Sequence, residues 1–137
     1  MSFGLATRRS TLLYILSLID GEGPASVDLF DTTIPSDSSA DPGGDPLASV
    51  ELAAVSCAID ETLAVLNIIE AVGNAAAAGI PTWARFRNAL GVGVGDFTAG
   101  PPGSGAVVIV TNGEDPPTAQ LFTGGEVNIT GTIAFPG

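Results

Sequence analysis

The hydrophobic pattern near the amino terminus predicts a helix. Apolar residues are dense from 6 to 19, and four of them fall at the i, i+3, i+4, i+7 spacing of one helical face: Leu12, Ile15, Leu16 and Ile19. Three more widen this stripe: Leu13, Tyr14 and Leu18. Because so much of the circumference is apolar, we expect the helix to be buried on more than one side. The N-terminal helical segment, 1–22, then packs either on its own domain or on a neighbouring subunit.

Further along the chain the pattern favours short β-strands. Residues 26–31 alternate, with Val27 and Leu29 on one face, as in a half-exposed strand. The other strand-like runs are 47–57, 63–71, 82–87, 106–111 and 126–135. Run 63–71 fits a helix equally well, which an alanine-rich stretch at 74–78 would extend. In the last run Gly131 stands where the alternation calls for an apolar residue. We expect a bulge or a close backbone approach there.

Glycine and proline clusters separate these runs and indicate the fold class. Residues 34–46 hold three prolines, two glycines and three aspartates, which predicts an exposed, turn-rich loop. Short strands between such clusters are typical of a mainly β protein, not of alternating β and α units. We therefore expect a single domain over 1–137: an antiparallel β-sandwich or jelly-roll-like domain with an N-terminal α-helix.

The excess of acidic residues disfavours two classes of binding partner, nucleic acids and anionic membranes. The formal net charge is -11, from 15 acidic residues against four arginines, with neither lysine nor histidine. Binding to nucleic acid requires a basic surface that neutralises phosphates, so we expect no nucleic-acid partner. Anionic membrane surfaces are disfavoured for the same reason. Residues 8–19 resemble a signal peptide superficially, but acids follow them in place of a cleavage site, so we expect synthesis without export.

The composition also indicates contact with other protein chains. Hydrophobic residues make up 45% of the chain, only 14% of residues are charged, and the mean hydropathy is +0.43. Soluble monomers usually carry more charge of both signs on their surface. We therefore expect a homo-oligomer or a subunit of a larger assembly.

The sequence contains few candidate catalytic residues. Without histidine the commonest general base and zinc ligand is missing, and without lysine so are Schiff-base chemistry and the P-loop. Two adjacent acid pairs remain as candidates of the glycosidase kind, Asp60 with Glu61 and Glu114 with Asp115, but both lie beside turn signals and predict solvated loop charge. The single cysteine, Cys57, predicts a buried thiol. We expect neither enzymatic activity nor a small-molecule substrate.

Two loops could bind ligands and are better explained as turns. Asp37, Asp41 and Asp45 could offer oxygen ligands to calcium, but their spacing of four differs from the EF-hand pattern, and Asp before Pro or Gly is ordinary turn chemistry. The glycine-rich stretch 91–96 lacks the G-x-G-x-x-G spacing of dinucleotide sites. It predicts a flexible turn or bulged strand with Val92 and Val94 facing the core. We expect no cofactor.

The run 82–87 contains a candidate interface. On a strand, Trp83, Arg85 and Arg87 share one face, and tryptophan and arginine are enriched at interface hot spots. The alternative is a simple surface strand whose arginines balance nearby acids. We expect the interface to include these three residues and the helical stripe Leu12, Ile15, Leu16 and Ile19.

Several short segments resemble a family of small proteins encoded in the structural-gene regions of tailed phages and prophages. They are MSFGLATR at 1–8, VDLFDTTIP at 27–35, LASVEL at 47–52, TWARF at 82–86 and GEVNITGTIAF at 125–135. The segments occur in the family's order, whereas 61–80 departs from its pattern.

This resemblance implies a virion component, assembled in the host bacterial cytoplasm, whose partners are phage capsid or tail proteins. Among such roles we favour a capsid decoration or cement subunit, because a small acidic β subunit suits an outer lattice position. A tail or neck accessory subunit is the first alternative. A receptor- or carbohydrate-binding module is the second, and one Trp and one Tyr supply little aromatic surface for it.

Overall fold

The computed structural model describes residues 5–60, 65–113 and 118–134, with side chains from residue 10 onward. The described elements are α1 (Leu5–Asp20), β1 (Ser26–Phe30), β2 (Ala48–Glu51), β3 (Cys57–Asp60), β4 (Val65–Asn74), β5 (Trp83–Arg87), β6 (Gly93–Gly100), β7 (Val108–Thr111) and β8 (Glu126–Ala134). The protein is thus mainly β with one N-terminal helix, as the sequence predicts.

The strands form one curled sheet in the order β2-β1-β5-β6-β7-β8-β4-β3. The sheet bends until β2 returns to β4, where Ala48 bridges Ala75 and the amide of Ala76 donates to the carbonyl of Leu47 at 2.8 Å. The result is a half-barrel that resembles a sandwich. Strands β6 and β7 run parallel where Ala99 faces Val108, so the purely antiparallel arrangement that we expect from the sequence is wrong at this pair.

The concave side of the curled sheet encloses the apolar core. Alternate residues of the strands point inward because side chains on a strand alternate between its faces. The largest fully buried apolar side chains include Phe86, Leu66, Leu121, Ile129, Val108 and Val27. Burying an aliphatic or aromatic side chain of this kind contributes about 1.5–3 kcal/mol, so this enclosed cluster is the main source of stability.

The ambiguous run 63–71 forms strand β4, and its helical alternative is wrong. Residues Val65–Asn74 pair with β8 over most of their length, with a register shift between Ile68 and Ala71. Two β4 residues there face one β8 residue, which is a bulge. Gly131 lies beside this bulge with φ 146°, and a Cβ on it would collide with the carbonyl oxygen of Val107. The close backbone approach expected at Gly131 is therefore confirmed.

Two other strand predictions need correction. Run 47–57 forms two strands, β2 and β3, separated by residues 52–56. Strand β1 is not half-exposed: Val27 and Leu29 do face the core, but Asp28 and Phe30 on the opposite face are also buried. Strand β5 is likewise buried on both faces. Another part of the chain therefore covers the outer side of β1 and β5.

Candidate interaction surfaces

A polar row crosses the outer face of four neighbouring strands. Ser49, Asp28, Arg85 and Asp96 face one another in the registers of β2, β1, β5 and β6. Ser49 donates to Asp28 at 2.6 Å, and Arg85 donates to both oxygens of Asp96 at 2.8 and 3.1 Å. The hydrogen bond to Asp96 raises the pKa of Arg85 further above its ordinary value. The row therefore consists of hydrogen bonds in which at least one partner is charged, and such bonds are shorter and stronger than bonds between neutral groups.

The loop 34–46 covers this row and is the missing cover of β1 and β5. Arg85 donates to the carbonyl oxygens of Ala40 at 2.6 Å and Asp37 at 3.3 Å, and Thr32 donates to that of Pro42 at 2.8 Å. The carbonyl oxygen of Ser38 fills the place that a Cβ on Gly93 would take. The prediction of a turn-rich loop is confirmed, but its inner side is attached to the sheet.

Within this loop, two of the candidate calcium ligands act as turn formers. Asp37 accepts hydrogen bonds from the amide and hydroxyl of Ser39, both at 2.8 Å, and Asp41 accepts from the amide of Gly43 at 2.8 Å. The bonds from Ser39 hold the pKa of Asp37 below its ordinary value. Among the described residues no cluster of three or more such side chains, Asp45 included, is arranged to bind a metal ion.

The prediction that Trp83, Arg85 and Arg87 form an interface on β5 is wrong for the first two residues, because they are buried. Trp83 and Arg85 are 1% and 2% exposed, so they are covered by the protein itself and are not available as surface hot spots. Trp83 stacks on Phe30 with ring centroids 4.5 Å apart, and its indole nitrogen donates to Thr32 Oγ1 at 3.1 Å. Arg87 remains partly exposed, at 27%, and donates to Asp28 at 2.6 Å. Sequence reasoning recognised the shared face but not the loop that closes over it.

The predicted helical stripe divides into inner and outer positions. Leu12 and Ile19 are buried at 0% and 1%, and Ile15 and Leu16 are partly buried against the same core. These four residues therefore fix α1 to its own domain. Asp20 holds the helix end by accepting the amide of Ser56 at 2.9 Å.

The opposite side of α1 is exposed, which corrects the expectation of burial on more than one side. We call it the helix face: it comprises Ser10, Leu13, Tyr14, Ser17 and Leu18. Tyr14 is 65% exposed, and the two leucines are 43% and 41% exposed. In the sequence this face is indicated by Leu13, Tyr14 and Leu18, the apolar residues beside the predicted helical stripe.

Two further apolar groups lie on the surface. The bridge patch is Ile80 and Phe122, 55% and 53% exposed, which flank the paired residues Gly79 and Leu121. Because Leu121 points inward, its neighbours along the chain point outward. The turn patch is Leu90 and Val92, 70% and 56% exposed, so the expectation that Val92 faces the core is wrong. Val94 packs against the core, in a bulge opposite Phe86 and Arg87, as expected of a bulged strand.

Among the described residues, the remaining chemical candidates are not brought together into a site. Glu61, Glu114 and Asp115 lie outside the described residues, and Asp60 ends β3. Cys57 is buried as predicted, at 2% exposure, and burial raises the pKa of its thiol. An open hollow beside the turn patch is lined by small and polar residues, among them Ser26, Ser49 and Asn88. No described helix has the length and hydropathy to cross a bilayer.

Comparisons with protein-family models, with curated proteins and with solved structures gave no match. The fold and its exposed surfaces are therefore the basis for assigning a function.

Proposed function

We propose that the protein is a non-enzymatic structural subunit of a phage particle, which acts by binding other virion proteins, with capsid decoration as the favoured role. The observation that carries this proposal is the presence of three separate exposed apolar groups: the helix face, the bridge patch and the turn patch. The helix face lies on α1, the bridge patch lies beside the Gly79–Leu121 bridge, and the turn patch lies between β5 and β6. A subunit of a lattice or ring needs more than one contact surface, because heterologous contacts use two different patches of each copy.

The charge distribution supports a basic or apolar partner surface. Both arginines with described side chains are bound by carboxylates of their own chain, Arg85 by Asp96 and Arg87 by Asp28. The net charge of the chain is -11, and many described acids are exposed on the outer surface, among them Glu22, Asp31, Asp41, Asp45, Glu51, Glu70 and Glu126. Such a surface attracts positively charged protein surfaces and repels phosphate. The segments that resemble phage structural proteins agree with this role.

The stoichiometry of the chain in purified particles tests the proposal. A capsid lattice requires hundreds of copies, whereas a closed ring at the neck or tail requires on the order of a dozen or fewer. Trypsin is a poor choice for the digest because the chain has four arginines and no lysine, so an acid-specific protease should provide the reference peptides. Hundreds of copies support decoration, a dozen or fewer support the tail or neck alternative, and absence from the particles overturns the proposal.

Variants of the bridge patch and the turn patch test whether these surfaces bind the chain to the particle. We expect Ile80→Ser with Phe122→Ser, or Leu90→Ser with Val92→Ser, to reduce the copies per particle without unfolding the monomer, since these side chains are exposed. Val72→Ser, at an equally exposed apolar position on β4, is the matched control. If neither double variant changes incorporation and both remain folded, these patches are not the docking surfaces.

A further inference from the structure

The helix face differs from the other patches in having a pattern of its own. Its five residues, Ser10, Leu13, Tyr14, Ser17 and Leu18, follow the i, i+3, i+4, i+7, i+8 spacing of one side of a helix. No charged residue occurs between 10 and 19. The inner residues of α1 already bind its own domain, so this second stripe is not needed to hold the helix. Its larger leucine and tyrosine side chains alternate with small serines and so form ridges and grooves, the features through which helices pack on one another.

The charges at the ends of α1 oppose the helix dipole. Arg8 and Arg9 lie in the amino-terminal part of the helix, Asp20 is its last residue, and the exposed Glu22 follows. A helix is favoured by acids at its amino end and bases at its carboxyl end, and α1 has neither in its first and last turns. This arrangement is unfavourable for an isolated helix. It becomes favourable if an antiparallel helix brings acids to the basic end and bases to the acidic end.

We propose that α1 pairs with α1 of a second copy of this chain, antiparallel and about a two-fold axis. A second copy provides the complementary charges in the right order, because its exposed Glu22 comes to the end that carries Arg8 and Arg9. The proposal deepens the assembly role and rests on it, since it names the partner of one of the three surfaces.

The register of the pair follows from the sequence positions. The helix face extends four residues on either side of Tyr14, from Ser10 to Leu18, so matching two antiparallel faces places the two-fold axis beside Tyr14. Ser10 and Leu18 are about 12 Å apart along the helix, at about 1.5 Å for each residue. Tyr14 is also the most exposed large apolar residue on α1 between residues 10 and 20. In a two-fold interface a residue at the axis meets its own equivalent, so Tyr14 is expected to contact Tyr14 of the second copy.

Neighbouring apolar residues enlarge the surface available to the pair. The amide of Ser56 donates to Asp20, and the carbonyl of Ser56 accepts the amide of Ile69 at 2.9 Å. This places Val55 and Ile69, 60% and 40% exposed, close to the carboxyl end of α1. A standard interface covers about 800 Å² on each partner, roughly a tenth of the 6897 Å² surface of the described chain. A strip along one helix is smaller than this, so we expect a dimer that dissociates on dilution.

Sedimentation equilibrium of the purified chain, without particles, tests the pairing. We expect a monomer–dimer equilibrium whose Kd rises at least tenfold in Tyr14→Glu, which places two carboxylates at the axis, while Val72→Glu, at an exposed position on β4, leaves it unchanged. Arg9→Glu and Glu22→Arg should each weaken the dimer, and the two together should restore it, because each copy then again offers opposite charges. If the wild-type chain stays monomeric at every soluble concentration, or if the combined variant is no tighter than either single one, the proposal is wrong.

Cross-linking tests the register separately. Tyr14→Cys introduces a cysteine beside the two-fold axis, and the native Cys57 is buried. With an added thiol oxidant such as diamide, two thiols give up two electrons and two protons to form one disulfide, so we expect a covalent dimer. Val72→Cys, similarly exposed on β4, should remain monomeric. Equal cross-linking of both variants would contradict the register.

The failure of this inference can be told apart from the failure of the proposed function. If the chain binds particles but does not self-associate, only this inference is overturned. If it self-associates but binds no particle, the proposed function is overturned.

Discussion

Arg85 Nε lies 2.8 Å from Asp96 Oδ1 across β5 and β6, and the two side chains are only 2% and 7% exposed. The same guanidinium also donates to two carbonyl oxygens of the loop 34–46. One side chain thus connects the sheet to the segment that covers its outer face. A buried charge of this kind is tolerated because each of its three nitrogens donates at least one hydrogen bond.

Removing this cation should cost much of the protein's stability. We expect Arg85→Met to lower the free energy of unfolding by about 3–5 kcal/mol, because Asp96 is left buried without its partner. Arg87→Met is the matched control, and since Arg87 is 27% exposed its loss should cost about 1 kcal/mol or less. Urea unfolding followed by Trp83 fluorescence measures both. Equal effects at the two positions would contradict the assignment of Arg85 as the central contact.

The second connection between loop and sheet is Thr32, which we expect to control protease access. Thr32 donates to Pro42 and accepts from the indole of Trp83, so Thr32→Val removes both hydrogen bonds and leaves a buried donor unpaired. The cost should be about 1–3 kcal/mol. Cleavage by an aspartate-specific protease within 34–46 should become faster, while Thr123→Val, at an exposed threonine, should leave it unchanged. Unchanged cleavage of the Thr32 variant would show that the loop is held elsewhere.

The limits of sequence reasoning are clearest at this same loop. Its prolines, glycines and aspartates correctly predicted turns, but not that its inner side would cover β1 and β5. The contacts go from Arg85 to backbone carbonyls, which every residue has, so no side-chain pattern in the loop marks them. For this reason Trp83 and Arg85 resembled surface residues in the sequence. The alternation of apolar residues did identify their shared strand face correctly.

The parallel pair was unpredictable for a different reason. Parallel neighbours normally need a crossover of a dozen or more residues, yet only residues 101–107 separate β6 from β7. A connection of that length favours an antiparallel hairpin, which is what the sequence suggested. The pairing is confined to two residue pairs, Ala99 with Val108 and Gly100 with Ile109. By contrast, the bulge region near Gly131 was predictable because glycine interrupts an apolar alternation.

Gly131 offers a sharp test of steric constraint in the sheet. Gly131→Ala should destabilise the protein by more than 2 kcal/mol, roughly the cost of backbone strain plus displacement of a neighbouring strand, because its Cβ would collide with the carbonyl oxygen of Val107. Gly124→Ala is the matched control: its φ is also positive, at 78°, but a Cβ there meets nothing within 4 Å. We expect about 1 kcal/mol for the control. Thermal unfolding of both variants measures the difference, and equal losses would mean that β7 and β8 can separate without cost.

Cys57 should make stability depend on pH in the alkaline range. Burial raises the pKa of its thiol, and nearby Asp20 acts in the same direction against a hydrogen bond from Ser56. The folded state therefore holds this proton more tightly than the unfolded chain does. Its contribution is fully present below the thiol's ordinary pKa and is lost as the pH rises towards the folded-state pKa, at up to about 1.4 kcal/mol for each pH unit.

Urea unfolding of the wild type and of Cys57→Ala at pH 7.5, 9 and 10 measures this contribution. The alanine variant should be less stable at neutral pH, because it leaves a small cavity, but its stability should fall less steeply as the pH rises. Alkylation provides a second measurement: iodoacetamide should modify Cys57 slowly in the folded protein and rapidly in urea, since the reactive thiolate is scarce when the group is buried. Parallel pH profiles for the two proteins, or rapid alkylation of the native chain, would show that the thiol is reachable from the solvent.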